Sequence, residues 1–449
     1  MMRDYNNPVV TPFENGIQLI TIANRLLNTS AIGFTVGMRD DPPWLDGATH
    51  VTEHLMFRRG ATHDDRTVNR MMRRYLGGSN GPGMNVYTVH SHCMFGHQDL
   101  LRRRNLHFVF SVMGHIVCDN MADLRRLRDV EERPLIINQK VYDVERAAVH
   151  NEDGEYVDFH VHEAAKCAYA DLYRGGNPAG RVGTGDEEQL RNTKLGRLKQ
   201  WAQGQFVPSR LKVILLGPTA NEGLHMIRET GLNELPPWKS SERFYQPSDE
   251  VPVVPEVRTV ITERPGIEMC YMSLVWPTDT AYSRTCDRLA LEVLEGVLKD
   301  RIEEVIREEN RLFDGGTYHP AVDWDASSSH GAFSITLSTR GTWSYASTLI
   351  DRILNVIKRL KEDTTETLNE DVSDTRENLA DAFIDEYKFG PGALADRIMY
   401  ALANGDPELE KFRVYHSDVI RVTPKRVREA ANRYLKPDGF VLSVIRPTP

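Results

Sequence analysis

Cysteine is scarce in this sequence. Five occur in 449 residues (Cys93, Cys118, Cys167, Cys270 and Cys286), widely spaced and never as CxxC. That excludes a thiolate zinc cluster and argues against a disulfide framework. Long apolar runs are also lacking: none approaches the roughly 20 residues that cross a bilayer. The opening, MMRDYNNPVV, has neither the apolar core of a secretory signal nor an Arg/Ser-rich amphipathic stretch. The expectation is a chain with no membrane partner in a reducing, cytoplasmic setting, although a form already stripped of a signal would read the same way. Positive charge is in deficit. Lys and Arg number 55 against 64 Asp and Glu, a net charge of −9, so nucleic acid is not an expected partner.

What is present describes a globular chain, 40% hydrophobic and 27% charged. Its length exceeds one ordinary core, so two domains are expected. Ile17–Ile22 and Ala31–Val36 read as strands and Gly47–Phe57 as a helix, with Val51, Leu55 and Met56 at helical spacing. Thr67–Leu76 reads as another helix, followed by a loop, GGSNGPG, at 77–83. Met84–Thr88 and Cys93–Phe95 read as short paired strands, Leu101–Cys118 and Val141–Asn151 as helices, and Leu211–Leu216 as a buried strand. Residues 233–256 hold five prolines among polar filler, which places a linker at 237–257 between domains at 1–236 and 258–449. The second part repeats the order: strands at Thr259–Thr262 and Cys270–Trp276, a helix at Cys286–Glu309, a strand at Ala332–Ser338, then helices. Phe206–Pro208 before Leu211–Leu216 is echoed by Tyr434–Pro437 before Phe440–Ile445, a hint of duplication. The expected class is α+β, two similar domains each with a mixed sheet flanked by helices.

The sharpest chemical signal is His50-Val51-Thr52-Glu53-His54. On a helix, residues four apart share a face, so both imidazoles can reach one ion. Zinc fits best, since two neutral nitrogens and one carboxylate with an open water position form a hydrolytic shell. Bound zinc brings a water's pKa near 7, and a carboxylate at Glu53 can take its proton. Glu145 and Glu152, seven apart, lie two turns along one helix face. One can reach the metal while the other orients a ligand, and the residues alone leave open which does which.

These motifs resemble the inverzincin metallopeptidases, the family of pitrilysin, insulin-degrading enzyme and mitochondrial processing peptidase. Asp46-Gly47-Ala48-Thr49-His50-Val51-Thr52-Glu53-His54-Leu55-Met56-Phe57, with Gly60 beyond, is similar to the family's HxxEH region, and Glu145-xxx-Val149-xx-Glu152 to its ExxxVxxE. The resemblance implies a zinc endopeptidase with His50, His54 and Glu152 as ligands, Glu53 as base and Glu145 as supporting acid. It implies that Asn85-Val86-Tyr87-Thr88 is the strand that pairs with substrate backbone, a role suited to an exposed edge. It also implies that Arg311 and Tyr318, an Arg-x6-Tyr pair, assist the substrate carbonyl and developing oxyanion. The spacing from His54 to Glu152 exceeds the family's usual one, which implies an insertion within Asp99–Lys140. Asn85-Val86 stands where the family has Asn-Ala, and Pro82-Gly83 lengthens the preceding turn.

Two-domain members of the family form a chamber from two chains. This chain carries both the metal motif and the Arg/Tyr pair, so a homodimer acting on peptides or unfolded segments is expected, with a heterodimer with a related subunit as the other arrangement. The alternative function is a non-catalytic structural or scaffolding subunit.

Overall fold

The computed structural model describes residues 7–24, 27–57, 84–97, 101–126, 135–155, 159–174, 178–181, 185–243, 252–283, 287–313, 317–340 and 343–448. The helix expected at Thr67–Leu76 and the loop at 77–83 lie outside them. The β-branched and apolar runs form two sheets. The first contains β1 (Val9–Pro12), β2 (Gln18–Ile22), β3 (Thr29–Phe34), β4 (Met84–Thr88), β5 (Cys93–His97) and β6 (Leu211–Leu216), in the order β1-β2-β6-β3-β5-β4. The second contains β7 (Arg258–Arg264), β8 (Met269–Pro277), β9 (Thr317–Ala326), β10 (Gly331–Arg340) and β11 (Val441–Pro447), in the order β7-β11-β8-β10-β9.

Apart from β1, which pairs antiparallel with β2, the sheets share one topology. In the first, β2 and β6 run parallel, while β6/β3, β3/β5 and β5/β4 are antiparallel. In the second, β7 and β11 run parallel, while β11/β8, β8/β10 and β10/β9 are antiparallel. The duplication hinted at by the repeated strand order is therefore present in three dimensions. The fold is mixed α+β, with both sheets flanked by helices.

Helices follow equivalent strands. In the first part these are α1 (Ala48–Phe57), α2 (Arg103–Asp123), α3 (Gln139–Glu155), α4 (Phe159–Leu172), α5 (Glu187–Asn192), α6 (Leu195–Gln205) and α7 (Ala220–Thr230). In the second they are α8 (Arg288–Phe313), α9 (Trp343–Glu362), α10 (Glu366–Phe389), α11 (Pro391–Asn404), α12 (Glu410–Val419) and α13 (Pro424–Tyr434). Helix α2 runs past the expected end at Cys118 to Asp123. The segment expected to hold an insertion, Asp99–Lys140, contains this long helix and the start of α3, with 99–100 and 127–134 outside the described residues.

The chain divides into two compact units, but not at the proline-rich segment alone. The first unit comprises 1–153, 184–245 and 383–413; the second comprises 154–183, 246–382 and 414–449. This corrects the contiguous boundaries expected from the sequence. The reason is packing. Strand β6 is buried at every position, so both of its faces need cover. One face joins Ile17, Leu19, Ile32, Phe34, Val213 and Leu215 in a core with α1, α2, α6 and α7. The other is covered by α11, which packs on β3, β5 and β6. Gly33 lies close to its neighbours there: a Cβ would stand 2.9 Å from Cys93 O of β5 and 3.1 Å from the terminal methyl of Met399. In the second unit, α4 takes the equivalent place. Its Ala168, Tyr169 and Leu172, with Tyr173 just beyond its end, pack with Val275, Ala332 and Val441 of the second sheet.

Candidate metal centre

Helix α1 starts where backbone geometry and capping agree. Gly47 holds a left-handed φ of 90°, which a side chain would oppose. Buried Asp41 then caps the first turn, accepting from Gly47 N at 2.8 Å, Thr49 N at 2.7 Å and Thr49 Oγ1 at 2.6 Å. Burial, with Asp46 nearby, pushes the Asp41 carboxyl up to about 8 against those hydrogen bonds. At the other end, Asn120 Nδ2 donates to Met56 O at 2.9 Å, so the last turn is satisfied by a side chain from α2. Eight of the ten α1 residues are buried, and His50 and His54 are the two that are not.

The imidazoles therefore stand side by side on one stripe, ring centroids 5.0 Å apart. Helix α3 supplies the facing carboxylates. It buries Tyr142, Glu145 and Val149, and Glu152 follows on the same face, 43% exposed. Glu152 Oε2 lies 3.2 Å from His50 Nε2, and Glu152 Oε1 lies 3.3 Å from His54 Nε2. The hydrogen bond with His50 is the main influence that holds the Glu152 carboxyl below its ordinary range. Glu145 Oε2 lies 3.3 Å from His54 Nδ1. Glu53 is 3% exposed. One of its oxygens lies 3.9 Å from His50 Nε2 and accepts from Thr88 Oγ1 at 3.2 Å. Burial raises the Glu53 carboxyl above its usual range, and the two histidines oppose that rise.

The donor set fits zinc. Ligand atoms of His50, His54 and Glu152 all lie within 4.8 Å of one another. Two ligands about 2.0 Å from a tetrahedral ion stand about 3.3 Å apart, which is the separation seen here between each imidazole and its facing oxygen. The Nδ1 of His54 is directed to Glu145, which leaves Nε2 for an ion and fixes the ring.

Among the described residues, strand β4 is the last strand at one side of the first sheet, and Asn85, Val86, Tyr87 and Thr88 lie on it. Thr88 is drawn to Glu53, as above. The Tyr87 hydroxyl hydrogen-bonds Asp396 Oδ1, and His92 Nε2 lies 3.3 Å from the same oxygen. Asp396 sits on α11, some three hundred positions later, and no local sequence pattern pointed to it. The Asp41 cap was also missed, although an acid six residues before a glycine-started helix is a readable signal. Arg311 and Tyr318 are not brought to this centre by anything described. Their backbones lie in α8 and β9 of the second unit, with Tyr318 paired to Ser338, and their side chains fall outside the described residues.

Residues 194–373 match a family model described as the Peptidase M16 inactive domain, a span that starts beyond the HxxEH helix. No curated protein matches the chain. Among solved structures, a protease from Helicobacter pylori is 14% identical, with a TM-score of 0.78, covering 98% of this chain and 100% of that one. A putative M16-like peptidase from Alicyclobacillus acidocaldarius is 15% identical, with a TM-score of 0.75 and full coverage of both chains. A peptidase M16 inactive domain from Pseudomonas fluorescens is 16% identical, with a TM-score of 0.73, covering 99% and 98%. Likeness at these identities is one of fold: the chain has the two-domain fold of M16-like peptidases. Among the described residues, no helix is long and apolar enough to cross a membrane.

Proposed function

We propose that the chain is a zinc endopeptidase of the HxxEH inverzincin type, cleaving peptides or unfolded segments. The observation that carries this reading is the convergence of His50, His54 and Glu152 beside a buried Glu53. His50 and His54 would hold the ion through Nε2, and Glu152 through its carboxylate. Bound zinc supplies Lewis-acid polarisation of a carbonyl and lowers the pKa of a water.

The chain's own groups do the rest. Glu145 fixes the His54 ring through Nδ1. Glu53, steadied by Thr88, takes the proton of the attacking water and delivers it to the departing amine as the peptide bond breaks. Burial raises its proton affinity, which suits a base working near neutral pH. An extended substrate strand can pair with β4, the last strand at that side of the sheet among the described residues, through main-chain hydrogen bonds. On the family resemblance, Arg311 and Tyr318 bind the substrate carbonyl and the developing oxyanion in a chamber formed by a homodimer, or by a heterodimer with a related subunit. A reducing, cytoplasmic setting is supported by five widely spaced cysteines with no CxxC pair.

The test is zinc content together with peptide digestion, on the unmodified protein and on Glu53→Gln. Zinc is expected in both and turnover in the first alone, with a loss of roughly 10²–10⁴-fold in the variant. The "inactive domain" match over 194–373 favours a second reading, a non-catalytic subunit. That reading prevails if the unmodified protein binds zinc and digests no peptide.

A further inference from the structure

A second cluster of nitrogen and carboxylate donors lies on two other helices of the first unit. His107 sits on α2, and His225 and Glu229 sit one turn apart on α7. One ligand atom from each lies within 4.8 Å of the others. His107 Nε2 is 3.0 Å from Glu229 Oε2, and His225 Nε2 is 3.2 Å from Glu229 Oε1. One carboxylate thus offers a different oxygen to each of two imidazoles. At His50, His54 and Glu152 one carboxylate likewise offers a different oxygen to each imidazole, at 3.2 and 3.3 Å, and both sets lie near the roughly 3.3 Å between neighbouring ligands of a tetrahedral ion.

The helices that carry these donors are held in place on both sides of the cluster. Toward one end, Arg103 of α2 pairs with Glu222 of α7. Toward the other, α2 and α7 touch so closely that a Cβ at Gly114 would stand 2.4 Å from Thr230 Cγ2. Cys118 Sγ lies 3.4 Å from Thr230 O just beyond. Helix α7 is itself fixed by a reciprocal cap between Thr219 and Glu222 and by Gly231 in the left-handed region. The spacing between the donors therefore depends on packed backbone and not on the side chains alone. Exposed ion pairs contribute little by themselves. His107, His225 and Glu229 are 47%, 70% and 40% exposed, so mutual attraction gives little reason for three side chains to converge.

We propose that His107, His225 and Glu229 form a second divalent transition-metal site, separate from the HxxEH centre. Two imidazoles and a carboxylate select zinc, nickel or copper over magnesium or calcium. The ion would tie α2 to α7, and its exposure makes it exchangeable, with room for a further ligand from solvent.

The experiment is zinc titration by calorimetry on the full chain and on three variants: His107→Ala, Glu229→Gln, and His50→Ala/His54→Ala. The unmodified protein is expected to bind two equivalents. His107→Ala and Glu229→Gln are each expected to bind one fewer, with circular dichroism and peptide cleavage unchanged. The double variant loses the other equivalent. If the HxxEH centre takes up no zinc, the unmodified protein binds one equivalent and His107→Ala none, which sustains this site while removing the reading under Proposed function. Equal stoichiometry in the unmodified protein, His107→Ala and Glu229→Gln overturns the proposal.

Discussion

Glu53 and Glu295 are two glutamates that burial pushes toward the protonated form, and their surroundings give them different consequences. Glu53 faces two imidazoles and the Thr88 hydroxyl, which restrain the rise and keep a base available. Glu295, on α8, accepts from Trp324 N at 3.1 Å, but burial dominates and Asp323 and Glu292 add to it, so its carboxyl is raised from 4.5 to about 7. The sign follows directly. A folded-state value above the unfolded one means that the folded chain binds the extra proton. The stability this contributes is fully present below about pH 4.5 and is lost as pH rises through about 7. The span corresponds to about 3 kcal/mol at most. Glu295→Gln is expected to flatten the pH dependence of urea unfolding over that window. An unchanged slope in the variant would show that another group sets it.

Both ends of helix α1, which carries the metal motif, are fixed by side chains from outside it, Asp41 just before its start and Asn120 from α2. Asp41 takes three hydrogen bonds from the first turn. Asp41→Ala leaves the Gly47 and Thr49 backbone N–H groups buried and unpaired, while the Thr49 hydroxyl keeps Gly37 O as an acceptor, at a cost of about 1–3 kcal/mol. Denaturant titration is expected to show that loss, accompanied by lower zinc occupancy, since the His50–His54 stripe depends on the first turn. This scale was the most legible in the sequence. The four-residue spacing of His50 and His54 is a local periodicity, and the seven-residue spacing of Glu145 and Glu152 is another, so both faces could be read without coordinates. Thr88 near Glu53 was less legible. It had been marked for its place on an edge strand, whereas its hydroxyl also hydrogen-bonds Glu53, and that contact depends on how the sheet meets the helix.

At the scale of the whole chain, the duplication was legible and the partition was not. Repeated strand order and a recurring aromatic–proline–strand closure survive as patterns along the sequence. The exchange of α4 and α11 between the two parts leaves no such trace, because an apolar helix face does not say which sheet it covers. The exchange makes a sharp prediction. A fragment ending at 236 keeps β1 to β6 but lacks α11, and one starting at 258 lacks α4. Each alone is expected to be aggregated or partly unfolded, while the two expressed together form a soluble, cooperative pair. Solubility and a sharp thermal transition in the isolated 1–236 fragment would refute this.

The distant origin of α11 also sets a schedule for biosynthesis. Strand β6 is complete at residue 216, yet the helix that covers its second face ends at 404. At roughly 5–20 residues per second, the ribosome leaves that apolar face without its native cover for roughly 10–40 s. During that interval a nascent chain offers a continuous sticky surface to holdase chaperones, or to a neighbouring nascent chain on the same message.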